Sequence, residues 1–302
     1  MELAIIGAGK WGQALQEAFL QSGIEACILS RSDRKLPNRV STADAMKAKL
    51  LVMALPVQVT GAWLESNFVF SDQRILVASK GIETASGRFL NELFAGYAPA
   101  QNLAFLSGPG FAAEVIRHLP TALTIAAVSD ECAAAFMRCF PQWIKTYRTD
   151  DIVGAEIAGA YKNVIAIAAG VGDALGLGNN ARAALITRGL AEMTRFGLHF
   201  GAKLQTFLGL AGVGDLALTA TSALSRNYRV GFGLGEGKRL EEILTELGEV
   251  AEGVPTAQAI VKLSVQNKLY TPIAREVTLA LDGKSPKESL LTLLNRTKEE
   301  EF

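Results

Sequence analysis

Six residues near the start of the chain, Gly7-Ala8-Gly9-Lys10-Trp11-Gly12, restrict the possible fold more than any other feature. They spell GxGxxG between an apolar strand-like run, ELAIIG at 2–7, and a helical stretch, GQALQEAFLQSG. In that setting Gly7 permits a tight turn, Gly9 lets a pyrophosphate approach the backbone, and Gly12 allows helix to pack closely on strand. The helix start would then present its unbonded amides to the phosphates. With 29 glycines in the chain, a turn that merely packs well is the competing reading, and the position in the first strand–helix unit favours a dinucleotide.

Further apolar runs of strand length occur at 24–30, 50–55, 74–79, 103–107 and 121–128, separated by helical or turn-rich segments. Strands without a polar face must be covered on both sides, which predicts a mostly parallel α/β sheet. After about residue 148 strand-like runs become scarce and Ala-, Leu- and Gly-rich helical stretches take over. The pattern predicts a dinucleotide-binding domain over 1–148 and an all-α domain over 149–302, with a long helix starting near Asp150 or Asp151. The active site is expected between them, since ligand pockets favour domain interfaces. The ending, KEEEF, is expected to be solvated.

Composition excludes several function classes. The 302 residues carry 30 basic and 30 acidic side chains, so no overall field would hold a nucleic acid or an anionic membrane. An anion must be bound locally. Cys27, Cys132 and Cys139 lack a CxxC spacing and two histidines supply no familiar zinc set, so neither a disulfide framework nor a metal site is expected. The N-terminus has no signal-peptide pattern, and the most apolar helical stretch, around 157–171, holds Tyr161, Lys162 and Asn163 and falls short of a membrane span. A cytoplasmic protein is expected, acting on a small-molecule substrate, with a homodimer left open.

Two positions at strand ends carry chemistry. Where a cofactor lacking a 2′-phosphate is often held by Asp or Glu, the second strand is followed by Arg31. A guanidinium pairs with a 2′-phosphate, which favours NADP with NAD also allowed; the alternative is a solvated loop arginine beside Asp33. The fourth strand ends in Ser79-Lys80-Gly81, placing Lys80 at the carboxyl edge where open α/β sheets bind ligands, unless it is a plain surface lysine. The loop SGPGFAAE at 107–114 exposes backbone amides, as an anion nest or as an ordinary turn.

Eight ordered blocks make the sequence specific: GAGKWGQAL at 7–15, SKGIE at 79–83, LSGPGFAAEV at 106–115, GAYKNVIAIAAG at 159–170, NARAALITRGLAEM at 180–193, TFLGLAGVGDLALT at 206–219, LSRNYRVG at 224–231 and VAEGVPTA at 250–257. Through them the chain resembles the bacterial-type NAD(P)-dependent glycerol-3-phosphate dehydrogenases over nearly its whole length, which implies a Rossmann-type α/β cofactor domain, 1–148, followed by an all-α substrate domain, 149–302. The resemblance implies interconversion of sn-glycerol 3-phosphate and dihydroxyacetone phosphate, in the service of phospholipid synthesis. It implies that Lys162 accepts or donates the proton and that Lys80 contacts substrate and cofactor. The substrate positions it implies are Gly108, Gly110, Asp215, Ser225, Arg226 and Asn227, and the cofactor positions are Lys10, Trp11, Arg31, Ala112, Arg226, Val250 and Glu252.

Residue chemistry agrees with parts of this assignment. Lys162 lies among Ala158, Ile165, Ala166 and Ala169 at helical spacing, an apolar setting expected to disfavour its ammonium and suit acid/base work. A lysine whose stem packs while its head reaches water is the alternative. Asp215 would orient Lys162 or bind a substrate hydroxyl, or else simply cap a helix. Ser225-Arg226-Asn227 reads as a helix start able to converge on one phosphate. The chain departs from the family at Gly110, usually Ser or Thr, and at Ala220 and Tyr228, usually Cys and Arg. Only a backbone amide is left at 110. Two competitors remain: a ketopantoate reductase, which would share GxGxxG and the Lys-Asn pair but lack LSRN, and a cofactor-sensing binding protein without turnover.

Overall fold

The computed structural model describes residues 2–32 and 35–295. Asp33, proposed as a neighbour of Arg31, and the KEEEF ending lie outside the described residues. The chain divides into two compact units, Met1–Lys80 with Phe89–Glu156, and Gly81–Arg88 with Ile157–Phe302. The pattern of elements had suggested one division, at 148/149.

The first unit is built on a seven-stranded sheet: β1 (Leu3–Ile6), β2 (Ala26–Leu29), β3 (Leu50–Met53), β4 (Arg74–Val77), β5 (Leu103–Ser107), β6 (Thr121–Ala126) and β7 (Ile144–Thr149). Their order is β2-β1-β3-β4-β5-β6-β7. All neighbours pair in parallel except β5 and β6, which are antiparallel. β1 and β3 are buried along their whole length, as strands covered on both faces must be. Leu15 and Phe19 of the first helix, Lys10–Gln21, join Leu3, Ile5, Ile28 and Val52 in one apolar core, where Phe19 meets Phe140 edge to face at 5.0 Å. Burying a side chain such as Phe19 contributes roughly 1.5–3 kcal/mol. Because β1 has β2 on one side and β3 on the other, the chain order reverses at β1, opening a crevice at the carboxyl ends of the strands.

The edge strand β7 is absent from the apolar runs of the sequence. Its residues, IKTYRT, bury Ile144 but leave Lys145 and Tyr147 exposed, so the segment never reads as a continuous apolar run. Hydrogen-bonded pairing with β6 along six registered positions, Thr121↔Ile144 to Ala126↔Thr149, makes it a strand.

In the second unit every strand is lacking among the described residues, and helices follow one another from Gly178–His199 to Pro286–Leu294. The long helix Ile152–Ala174 starts one residue after Asp151, whose carboxylate accepts the Gly154 amide at 2.9 Å. At 23 residues it exceeds the apolar stretch read at 157–171 and is long enough to cross a membrane. Length is therefore no argument against a span; burial of 83% of its most apolar stretch inside the protein marks it as a core helix. Within the second unit this helix touches the Arg226–Gly235 helix backbone to backbone, since a Cβ on Gly170 would strike the Tyr228 carbonyl and one on Gly231 the Ile167 carbonyl.

Candidate active site

In the first unit the predicted cofactor residues gather at the end of β1. Gly7 has φ +112°, a conformation open to glycine and costly for other residues, and its amide donates to Leu29 O at 3.1 Å. A Cβ there would lie 2.6 Å from the Ala54 carbonyl oxygen, and one on Gly12 would collide with the Gly7 carbonyl. At Gly9 the outcome differs: a Cβ would meet no protein atom within 4 Å. Gly9 is also the N-cap of the Lys10–Gln21 helix, with no side-chain cap and no acidic residue in the first turn. Two glycines thus serve packing while the third leaves backbone approachable at a positive helix end, which fits a pyrophosphate.

The other first-unit positions follow the ends of further strands of the same sheet. Arg31 is exposed two residues beyond β2, next to β1. Gly108, at φ +98° just after β5, accepts a hydrogen bond from Lys80 Nζ at 2.9 Å. A Cβ on Gly110 would stand 3.2 Å from the Trp11 ring and 3.4 Å from Leu123, so any side chain at this position would press on the indole. Ala112 opens the short helix Ala112–Val115.

In the second unit Lys162 does not sit alone in an apolar setting, as its helical neighbours suggested. It is only 7% exposed, and its Nζ donates to Asp215 Oδ1 at 2.5 Å and to Thr219 Oγ1 at 2.9 Å. Thr219 Oγ1 lies 3.4 Å from the same carboxylate oxygen, closing a triangle. The carboxylate is 1% exposed, so the ammonium offsets a buried charge that would otherwise be strongly unfavourable. Asp215 does not cap its helix: the LAGVG stretch is a π-helical turn, Leu210–Gly214, and Asp215 is the first residue of Asp215–Ala220 beyond it. Such turns commonly reorient functional side chains. Sequence reasoning missed Thr219, although the i, i+4 spacing from Asp215 puts both on one helix face.

Ser225 caps the Arg226–Gly235 helix by accepting the Tyr228 amide at 3.2 Å. Arg226, at the first helical position, keeps its side chain 42% exposed with Glu249 Oε2 3.7 Å from Nη1. Asn227 points the other way in its commitments: Nδ2 donates to Asn163 Oδ1 at 2.8 Å and Oδ1 accepts the Gly253 amide at 2.9 Å. That second bond ties it to the segment carrying Val250, which is half-exposed, and Glu252. Tyr228 donates to Asp173 Oδ2 at 2.6 Å, and burial pushes its hydroxyl up to about 12. The same carboxylate oxygen pairs with Arg182 at 2.8 Å.

A glycine-turn dinucleotide domain followed by a helical unit with a buried lysine–carboxylate pair defines the class of two-domain dinucleotide-dependent oxidoreductases. Comparison with known proteins makes this specific. Residues 33–133 match the family profile of the NAD-dependent glycerol-3-phosphate dehydrogenase N-terminus, and 151–292 that of its C-terminus. The chain is 53% identical over 296 residues to glycerol-3-phosphate dehydrogenase [NAD(P)+] of Nitratiruptor sp., covering 98% of this chain and 99% of that one. It is 54% identical over 296 residues, with the same coverage, to the enzyme of that name from Campylobacter jejuni subsp. jejuni. The crystal structure of glycerol-3-phosphate dehydrogenase from Coxiella burnetii superposes with a TM-score of 0.91 at 33% identity, covering 98% of this chain and 99% of that one. The chain belongs to the NAD-dependent glycerol-3-phosphate dehydrogenase family.

Proposed function

We propose that this enzyme interconverts dihydroxyacetone phosphate and sn-glycerol 3-phosphate with NADPH favoured and NADH accepted. It acts in the cytoplasm, as a homodimer, and supplies glycerol 3-phosphate for phospholipid synthesis. The observation that carries the reading is the buried Lys162 ammonium held between Asp215 and Thr219, in a chain whose family profile covers both halves.

Gly7, Gly9 and Gly12 would hold the dinucleotide with Lys10, Trp11, Arg31, Ala112, Val250 and Glu252, and the open face of Gly9 supports the fit. The nicotinamide, when bound, supplies a hydride to C2 of the ketone or takes it back from the alcohol. Lys162 passes a proton to the carbonyl oxygen in reduction and recovers it in oxidation. Asp215 and Thr219 orient the ammonium through directed bonds, so little reorganisation is needed as charge develops on that oxygen. Arg226 and Ser225 recognise the phosphate at a helix start, where guanidinium and helix dipole act together. Lys80 and the Gly108–Gly110 backbone contribute further substrate contacts, and Lys80 also meets the cofactor.

The test is consumption of NADPH and NADH by purified enzyme with dihydroxyacetone phosphate, ketopantoate serving as the alternative ketone. Oxidation of the cofactor with the phosphate ester is expected, faster with NADPH. Turnover of ketopantoate alone, or of neither substrate, overturns the reading. Sedimentation velocity reports the dimer.

A further inference from the structure

We propose that Asn163 is a positioning residue for phosphate recognition. Together with the Gly253 amide it holds the Asn227 carboxamide oxygen-inward, so that an N–H is the group left for the substrate phosphate. The inference rests on the phosphate-bearing substrate proposed above.

The argument is one of donor and acceptor identity. Three hydrogen bonds run in series: Gly253 N to Asn227 Oδ1 at 2.9 Å, Asn227 Nδ2 to Asn163 Oδ1 at 2.8 Å, and Asn163 Nδ2 to Gly159 O at 3.1 Å. Both ends are backbone groups of fixed character. An amide N–H only donates and a carbonyl oxygen only accepts, so the direction of the whole series is determined. Turning the Asn227 amide over would set N–H against N–H at Gly253 and oxygen against oxygen at Asn163. Both side chains are buried, 6% and 8% exposed, so water cannot repair the mismatch.

Nδ2 of Asn227 carries two hydrogens, and the series uses one. The other is the hydrogen assigned here to the phosphate, with Arg226, the preceding residue at the same helix start, meeting the same dianion. With the amide reversed, a carbonyl oxygen would stand there and repel phosphate. Gly253 is part of the device: a Cβ at that position would lie 2.7 Å from Asn227 Oδ1 and 2.9 Å from the Asn163 carbonyl, so only glycine lets the amide reach Asn227. Asn163 is also the residue after Lys162, which links phosphate recognition to the helix bearing the proposed proton carrier.

The experiment measures kcat and KM for dihydroxyacetone phosphate and for dihydroxyacetone, in wild type, Asn163→Ala, Asn227→Ala, the double variant and Gly253→Ala. Asn163→Ala is expected to lose about tenfold in kcat/KM for the phosphate ester, chiefly through KM, and to change by less than about twofold with dihydroxyacetone. The double variant should be no worse than Asn227→Ala. The ratio of the two substrates cancels the fraction of folded enzyme, so partial misfolding does not hide the result. Should Asn163→Ala be insoluble, Gly253→Ala disturbs the series from its other end and must show the same selective loss. Equal losses on both substrates, or additive effects in the double variant, overturn the proposal. A wild-type enzyme inert toward the phosphate ester instead counts against the reaction itself.

Discussion

The two halves of this enzyme make their sites in opposite ways. In the first unit, the proposed cofactor loop depends on side chains that are missing: Gly7 and Gly12 let backbone touch backbone, and Gly9 leaves the helix end approachable. All of it lies within six consecutive residues. In the helical unit the site depends on side chains that meet across distance, with Lys162 53 residues from Asp215 and Asn163 64 residues from Asn227. A local device can be read as a motif and broken by adding one methyl group. A distributed one is broken by removing any partner, and its members respond together.

The sharpest contrast comes from Lys162→Ala, expected to lower kcat by about 10² to 10⁴-fold. It also takes the Lys162 ammonium away from a buried carboxylate, a loss of up to about 3–5 kcal/mol, so turnover is to be expressed per folded molecule after thermal melting. Near-normal kcat in the folded fraction would remove Lys162 from proton transfer. Arg226→Ala comes next, with a 10 to 100-fold loss in kcat/KM on the order expected for lost charged hydrogen bonds. That loss should spare dihydroxyacetone, and its partly exposed side chain means that melting should hardly change.

Within the glycine loop the comparison can be made at one-methyl resolution. Gly12→Ala should destabilise the protein by about 1–3 kcal/mol through overpacking against the Gly7 carbonyl. Gly9→Ala should leave melting unchanged while weakening NADPH binding, as titration calorimetry would show; the reverse ranking would mean that Gly9, not Gly12, is the structural glycine. Smaller still is Arg31→Ala, expected to raise KM for NADPH several-fold, about the worth of one exposed charged contact, and to leave NADH unaffected. Equal effects on both cofactors would show that Arg31 does not read the 2′-phosphate.

The last test concerns stability alone. Burial pushes the Glu156 carboxyl up to about 8, against the opposing hydrogen bonds from the Asn91 and Leu90 amides and with the Glu92 charge adding to the rise. Its Oε1 accepts the Asn91 amide at 2.9 Å, while Oε2 and the Asn91 side-chain oxygen are buried without a hydrogen-bond partner among the described residues. The folded state therefore binds a proton more tightly than the unfolded chain, whose glutamate titrates near 4.5. The stability this proton contributes is complete below about 4.5 and is lost as pH rises through about 8. Glu156→Gln should flatten that decline, and an unchanged pH dependence of melting would assign it to other groups.

The fold was largely legible because six strands are continuous apolar runs and the glycine turn announces the first crossover. The seventh, β7, was hidden because an edge strand need bury only part of its surface, and IKTYRT therefore resembles a loop. In the site, the roles given to Lys162, Asp215 and Arg226 came through motif blocks; nothing local at Lys162 announced a carboxylate partner. Thr219 went unremarked, and Asn163 was read only as half of a Lys-Asn pair, for the same reason, since an uncharged side chain in a helix acquires its meaning from the group placed opposite it.

What the sequence by itself determined is what depends on neighbours along the chain: strand, turn and helix at the cofactor loop, the cap at Ser225, and the change from a sheet-forming half to a helical one. Tertiary structure decided the partners. It set the Lys162 ammonium between Asp215 and Thr219 rather than among apolar side chains, and it oriented Asn227 through Asn163 and Gly253. The physical reason is range: backbone propensity acts over a few residues, whereas the charge and hydrogen-bond character of a buried site depend on which distant groups packing brings within about 3 Å.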